Sequence, residues 1–314
     1  MNYYLGLDVG GTNLVAGVVD EEYRIISKVS IPAGAHRTIE EITDDMVAVS
    51  LQAISKSGLS EGDISKWGIG MPSYVNPKTK LLVHANCFGW KNVPIYDYLE
   101  RKLSLPVQIE NDANCAALGE ALAGAAKGVE NVVMLTIGTG LGGGIIMNGK
   151  IYCGADRMGA ELGHVKLVYD GIPCTCGQKG CAEAYCSATA LIRQAKEAVR
   201  QNRNSLLWDL CGGDINAIEG KTIFKGIEMG DETARQILEQ YTEYLTCAMS
   251  TYITLFRPEK IILGGGIAQA GELLLAPIRE RLIPNTFAGT EIGVPTVETA
   301  KLGNDAGIIG AAFL

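Results

Sequence analysis

Apolar and polar positions along the chain change period from one block to the next. Residues 3–9, Tyr3-Tyr4-Leu5-Gly6-Leu7-Asp8-Val9, read as a strand, and after Gly10-Gly11-Thr12-Asn13 a second apolar run covers 14–19. A glycine turn thus joins two strands. A third β-rich segment follows at 24–31, and over 38–57 the apolar residues Ile39, Ile42, Met46, Val49 and Ile54 take helical spacing. Strand signals return at 67–71 and 106–110, and the second of these leads into an alanine-rich helix predicted over 113–126.

The opening pattern recurs near residue 130, as a strand over 132–137, the turn Gly138-Thr139-Gly140-Leu141-Gly142-Gly143, and a strand over 144–147. Two β, glycine-turn, β units half a chain apart predict two related α/β domains facing one cleft. Further on, helices are predicted over 184–201 and 233–256, and a strand over 260–263 runs into a third glycine turn, Gly264-Gly265-Gly266-Ile267. The last segment, 305–313, reads as a short apolar helix that packs back on the N-terminal domain. The expected division is 1–112, completed by about 301–314, and 113–300.

Bulk properties narrow the class. The 314 residues are enough for two domains with cores of their own, and 39 glycines exceed the globular average, which directs attention to where the glycines stand. A net charge of −8 argues against nucleic acid and anionic membrane as partners. No apolar run reaches the roughly 18 residues of a membrane span, and Met1-Asn2-Tyr3-Tyr4 has no signal-peptide character, so a cytoplasmic protein is expected. Of nine cysteines, Cys87, Cys115, Cys153, Cys186, Cys211 and Cys247 show no ligand spacing.

Three sets of residues carry chemistry. Backbone N–H groups at glycine turns can approach polyphosphate closely; none of the three turns has the P-loop pattern, and the Gly138 turn departs from a dinucleotide fingerprint because a strand follows it. Asp8 beside the first turn is a candidate Mg²⁺ ligand, and the Thr12 hydroxyl can meet a phosphate. His164, Cys174, Cys176 and Cys181, spaced H-x9-C-x-C-x4-C, form a Cys3His set that fills a tetrahedral Zn²⁺ site and makes the metal structural. Glu161 and Glu183 flank that segment as candidate clamps for sugar hydroxyls. Asp112, in Glu110-Asn111-Asp112-Ala113-Asn114, takes an N-cap position at the carboxyl end of a strand, where open α/β sheets bind ligands.

These motifs, with Asp8-Val9-Gly10-Gly11-Thr12-Asn13, Gly159-Ala160-Glu161-Leu162-Gly163-His164, the Cys174–Glu183 segment and Gly264-Gly265-Gly266-Ile267, closely resemble in order and spacing the ROK family of sugar kinases and repressors. The resemblance runs from residue 8 to residue 267. It implies an α/β, two-domain actin-like ATPase (ribonuclease H-like) fold with a cleft between the domains, closing on a hexose and MgATP. By carry-over Asp112 is the general base that takes the proton of the attacking sugar hydroxyl. Ser73, Asn86, Asn111, Asp112, Glu161, His164 and Glu183 are sugar ligands, His164 using its other ring nitrogen for zinc. Asp8, Gly10, Gly11, Thr12, Asn13, Gly138, Thr139, Gly140, Gly264, Gly265 and Gly266 form the MgATP side.

Two stretches depart from the glucokinase pattern. Ser73 stands where a glycine commonly follows the proline, and Cys87 where a leucine commonly follows Asn86. The resemblance therefore implies a hexose kinase, glucokinase first, with N-acetylmannosamine, allose, mannose or fructose as alternative substrates. A ROK repressor is the rival from another class. It would carry a helix-turn-helix before the first strand, which here starts at residue 3 of an acidic chain. A homodimer or homotetramer is the implied assembly.

Overall fold

Strand β1 (Tyr3–Val9) sends Leu5, Leu7 and Val9 to one face and Tyr4, Gly6 and Asp8 to the other, and the two faces meet different layers. The computed structural model describes residues 2–34, 37–85 and 88–314. Its first compact unit comprises residues 1–134, 144–160 and 301–314. In this unit β2 (Asn13–Asp20), β3 (Ile25–Pro32), β4 (Ile64–Met71) and β8 (Val107–Asn111) join β1 in a sheet of order β3-β2-β1-β4-β8. The first three strands are antiparallel, whereas β1, β4 and β8 run parallel.

One face of that sheet is an ordinary apolar core. Leu5, Leu7, Val9, Trp67, Ile69 and Met71 are fully buried there, against Ile42, Met46 and Val49 of helix α1 (Ile39–Ser57). A capping box between Thr38 and Glu41 starts α1, and Gly58 at φ +78° ends it. Beside the sheet lie the small antiparallel strands β5 (Tyr74–Val75), β6 (Leu82–Ala85) and β7 (Trp90–Val93), and helix α2 (Ile95–Glu100).

At the centre of the opposite face, where β1 and β4 run side by side, side chains are largely missing. Gly6, Gly68 and Gly70 line it, and helices α3 (Asp112–Leu122) and α11 (Asp305–Ala312) press on it. A Cβ at Gly6 would overlap the Ile308 carbonyl, and one at Gly68 the Ala311 carbonyl. Between the helices a Cβ at Gly119 would overlap the Ala306 carbonyl, and one at Gly310 the Cys115 carbonyl. This backbone-to-backbone packing uses four of the 39 glycines. It also explains why the unit extends past residue 112, since α3 packs against α11 and the sheet.

Helix α3 ends at Leu122, short of the expected 126, because the buried Glu120 carboxylate takes the Ala125 N–H (2.7 Å) in place of a helical carbonyl. The other oxygen of Glu120 accepts from Lys301 N (2.9 Å) and Leu302 N (2.7 Å), tying the C-terminal segment to the end of α3.

Residues 135–143 and 161–300 form the second unit. The other five-stranded sheet has the order β11-β10-β9-β12-β13, with β9 (Val132–Ile137), β10 (Leu141–Met147), β11 (Lys150–Ile151), β12 (Lys260–Gly264) and β13 (Thr296–Thr299). Leu141-Gly142-Gly143, expected in a turn, is already strand. The helix expected over 184–201 is two, α4 (Glu183–Cys186) and α5 (Ala188–Gln201), because Ser187 is extended and its hydroxyl caps Ala190 N at 3.1 Å. Short α6 (Leu206–Leu210) and α7 (Gly220–Glu228) precede α8 (Glu232–Phe256), whose buried stripe includes Ile237, Tyr241, Leu245, Met249 and Tyr252. Helix α9 (Glu272–Asn285) packs on α8 despite Pro277 and Pro284, and α10 (Gly289–Ile292) follows. Among the described residues no helix is long and apolar enough to cross a membrane.

The glycine-lined face makes a direct prediction. Gly68→Ala places a methyl on the Ala311 carbonyl, where only backbone movement relieves it, and should lower stability by roughly 1–3 kcal/mol. Gly62→Ala, which meets only the Ser60 hydroxyl at 3.8 Å, should stay within about 0.5 kcal/mol of wild type. Urea denaturation of both variants checks the contrast.

Candidate active site

The parallel register places Asp8 opposite Gly70, and Gly70 opposite Glu110, in one row across β1, β4 and β8 on the glycine-lined face. Asp112 follows two residues after Glu110. A Cβ at Gly70 would lie 3.0 Å from the Cys115 sulfur and 3.7 Å from the Asp112 Cα, so the glycine makes room for the first turn of α3 against the sheet. Both aspartates are half-buried. Burial, and after it the Asp112 charge, pushes the Asp8 carboxyl up to about 7. Burial pushes Asp112 up as well, against the opposing pull of the Ala113 N–H, which donates to Oδ1 at 2.9 Å. Two enclosed carboxylates this close are a receptor for positive charge and for protons.

Asp112 does not cap α3, as the sequence suggested. It is the first helical residue, and Asn111 is the N-cap, its Oδ1 accepting from Ala113 N (2.8 Å) and Asn114 N (3.2 Å). The extended Asn111 backbone frees the next residue to enter the helix. The cap occupies the Asn111 oxygen and leaves its Nδ2 as the donor for a ligand. The Ser73 hydroxyl is buried and has no hydrogen-bond partner among the described residues, an orphan consistent with a ligand hydroxyl. Asn86, like Cys87, lies outside the described residues. Gly10, Gly11, Thr12 and Asn13 form the first turn, closed by Gly10 N to Asn13 O at 2.9 Å, with Thr12 exposed.

In the second unit the ligand atoms of His164, Cys174, Cys176 and Cys181 lie within 4.8 Å of one another. The Cys176 and Cys181 sulfurs are 3.7 Å apart, as are the Cys174 sulfur and His164 Nδ1. Ligands about 2.3 Å from a common centre in a tetrahedron stand about 3.8 Å apart, so the donor set has the dimensions of a metal site. The cysteines are free thiols, and 3.7 Å is well beyond a disulfide bond of about 2.05 Å. His164 Nδ1 faces the sulfurs, leaving Nε2 for another partner. His164 lies in a single 3-10 turn, Leu162–His164, held from behind by the Tyr252 hydroxyl donating to the Leu162 carbonyl at 2.7 Å.

Glu183 connects this cluster to the second glycine turn. Its Oε1 accepts from the Thr175 hydroxyl (2.6 Å) and lies 3.4 Å from the Cys174 sulfur, and its Oε2 accepts from Leu141 N (3.0 Å). Burial alone would push this carboxyl up; the Thr175, Leu141 and Cys174 donors outweigh it and hold the group below the usual carboxylate range. A Cβ at Gly140 would lie 2.5 Å from Glu183 Oε2, so the turn glycine makes room for the carboxylate. Glu161 is exposed at the start of the same segment.

The second and third turns meet. Gly265, at φ +86°, packs against the Ile137 backbone, immediately before Gly138, where a side chain has no room. The N-terminus of α5 adjoins them, Ala188 N donating to Gly138 O (2.9 Å) and the Thr189 hydroxyl to Thr139 O (2.7 Å). Beside Gly266 opens a cavity of about 700 Å³ lined by Ile267, Gln269, Thr222, Phe224 and Lys225. These cavity residues, like Thr175 and the Leu141 amide, were not singled out from sequence. The triplet Gly220-Lys221-Thr222 opening α7 was the available signal.

Asp8, the first turn, Ser73, Asn111 and Asp112 thus belong to the first unit. The metal set, Glu161, Glu183 and the other two turns belong to the second.

Comparison with known proteins extends this picture over the whole chain. The glucokinase of Streptomyces coelicolor is 38% identical over 317 residues, covering 100% of this chain and 98% of the relative. That of Halalkalibacterium halodurans is 35% identical over 320 residues, covering 99% and 94%. The crystal structure of a ROK family glucokinase from Streptomyces griseus in complex with glucose and AMPPNP superposes with a TM-score of 0.83 at 37% identity, covering 99% of this chain and 98% of that one. The fold is accordingly the two-domain, actin-like α/β class. With the ROK family model matching residues 4–314, the chain belongs to the ROK family.

Proposed function

We propose that this protein is an ATP-dependent hexose kinase that converts glucose to glucose 6-phosphate. The observation that carries the reading is its full-length similarity to glucokinases, one of them solved with glucose and AMPPNP. The carboxylate pair on the glycine-lined face supports it chemically. Asp112 is the general base: half-buried at the start of α3, it accepts the hydrogen bond of the attacking hydroxyl and takes its proton as the γ-phosphate is transferred. Asp8 would hold Mg²⁺, a cation that would neutralise phosphate charge and offset the repulsion between the two aspartates.

Gly10, Gly11, Thr12 and Asn13 of the first turn, with Gly138, Thr139, Gly140, Gly264, Gly265 and Gly266, offer backbone N–H groups to the phosphates. The cavity beside Gly266 has the size for a nucleoside, with Phe224 and Ile267 as apolar walls and Thr222, Lys225 and Gln269 as polar ones. Ser73, Asn86, Asn111, Glu161, His164 Nε2 and Glu183 bind the sugar hydroxyls. His164 Nδ1, Cys174, Cys176 and Cys181 would hold Zn²⁺, and four protein ligands would make its role that of a structural tie. The residues through which it acts are Glu183, joined to both the cysteine loop and Leu141, and His164.

A coupled ADP-release assay over a hexose panel should find glucose preferred over N-acetylmannosamine, allose, mannose and fructose; tight sugar binding without turnover on any of them would refute the kinase reading. Asp112→Asn should reduce kcat by roughly 10²–10⁴-fold while glucose affinity by calorimetry changes only a few-fold.

Metal analysis should find about one zinc per chain, and Cys176→Ser should lower that content and raise the glucose KM.

The Asp8 carboxyl supplies a pH test. Its folded value of about 7 stands above its ordinary 3.8, so its ionisation destabilises the ligand-free chain increasingly as pH rises through that interval, with the full penalty above it. Asp8→Asn should therefore raise Tm at about pH 8, with the gain shrinking towards about pH 4, and should abolish MgATP-dependent turnover. A gain of equal size at both pH values would contradict the electrostatic account.

A further inference from the structure

Glu110 sits in the row of Asp8 and Gly70, yet phosphoryl transfer as described gives it no task. Its side chain is only 5% exposed, and each oxygen is engaged. Oε1 accepts from Asn111 N (2.9 Å) and from Asn114 Nδ2 (3.1 Å). Oε2 is bound by the guanidinium of Arg157. Asn111 caps α3 immediately before Asp112, and Asn114 lies in its first turn, so Glu110 grips the helix start from both sides of the base.

Arg157 comes from the segment between β11 and Glu161, and two features mark it. Its φ is +65°, a left-handed conformation unfavourable for any residue but glycine, and Ala160 nearby shares it at +68°. The neighbouring Asp156 carbonyl is fixed by the Tyr74 hydroxyl at 2.9 Å, which holds the loop in place beneath the arginine. A buried carboxylate needs a counter-charge, and among the described residues Arg157 is the cation paired with Glu110. The backbone strain at Arg157 accompanies an interaction that reaches the base.

We propose that Arg157 is a positioning residue for phosphoryl transfer: by pairing with buried Glu110 it fixes the Glu110–Asn114 segment and, through it, the orientation of Asp112. The inference rests on Asp112 being the base. Without the guanidinium, the Glu110 carboxylate is left buried without its counter-charge and free to turn. It then loosens its hold on Asn111 N and Asn114 Nδ2, and the helix start is no longer held in one geometry. The consequence falls on turnover more than on sugar capture, because a base displaced by a fraction of an ångström still leaves most hydroxyl ligands in place.

The test uses the full chain with glucose and MgATP, comparing wild type, Arg157→Gly, Arg157→Lys, Glu110→Gln and the Arg157→Gly/Glu110→Gln double variant. Glycine suits the left-handed φ, which offsets part of the cost of leaving Glu110 without its counter-charge, so Arg157→Gly should still fold, with a lowered Tm. Its kcat should fall about tenfold with glucose KM changed less than about threefold. Arg157→Lys should recover a substantial part of that loss, and the double variant should be no slower than Glu110→Gln alone, since the arginine acts through the glutamate. Wild-type kcat in Arg157→Gly, or losses that multiply in the double variant, overturns the inference while the kinase reading stands. A wild type inactive on every sugar overturns the kinase reading and this inference with it.

Discussion

The close approach of backbone to backbone on one face of the first sheet is the constraint from which the catalytic half of the molecule follows. Gly6, Gly68, Gly119 and Gly310 have no Cβ, and only for that reason can α11 and α3 lie against β1 and β4 with carbonyls where side chains would otherwise stand. The contact brings the start of α3 beside the carboxyl ends of β1 and β8. Asp8 and Asp112 are thereby enclosed together, and both carboxyls are pushed up. The apolar opposite face, with Leu5, Leu7, Trp67, Ile69 and Met71 fully buried, supplies the burial against which that electrostatic cost is set. A site that is unfavourable when empty favours cation and substrate binding.

The second unit solves a different problem, that of ordering a loop-rich segment with little core of its own. Between Glu161 and Glu183 the chain forms a 3-10 turn and isolated bridges, Lys166 with Cys181 and Pro173 with Lys179. Order there comes from convergent side chains: the Cys3His set, the Tyr252 hydroxyl on Leu162, and Glu183 tied at once to Thr175 and to Leu141. Glu183, bonded to Thr175 on one side and to Leu141 N on the other, ties the cysteine loop to the Gly138–Gly140 turn.

Much of this was legible locally. The strands β1 and β2 and the period of α1 and α8 were read within a residue or two because each has a continuous buried pattern and a clear cap or breaker, whereas the second glycine turn was drawn three residues too long. The errors were local too. Helix α9 was missed because Pro277 and Pro284 interrupt a weakly amphipathic stretch, and packing on α8 holds it helical. The helix over 184–201 broke at Ser187, whose hydroxyl found the Ala190 amide. Asn111 displaced Asp112 as the cap because both are good capping residues and only backbone conformation chooses between them.

Residue chemistry and spacing alone picked out the Cys3His set that the structure brings together, since four soft or borderline donors within eighteen residues need only a short loop to converge. They also determined that three glycine turns follow strands, and, through resemblance, the family. Tertiary structure decided what strand register and helix packing bring together from distant parts of the chain. Asp8, Gly70 and Glu110 form one row because β1, β4 and β8 pair in parallel, a choice encoded in no single segment. Glu183 meets Leu141, and Arg157 meets Glu110, across more than forty residues of sequence, contacts that no periodicity announces. Local interactions repeat along a chain and leave a pattern; a cation reaching one buried carboxylate occurs once and leaves none.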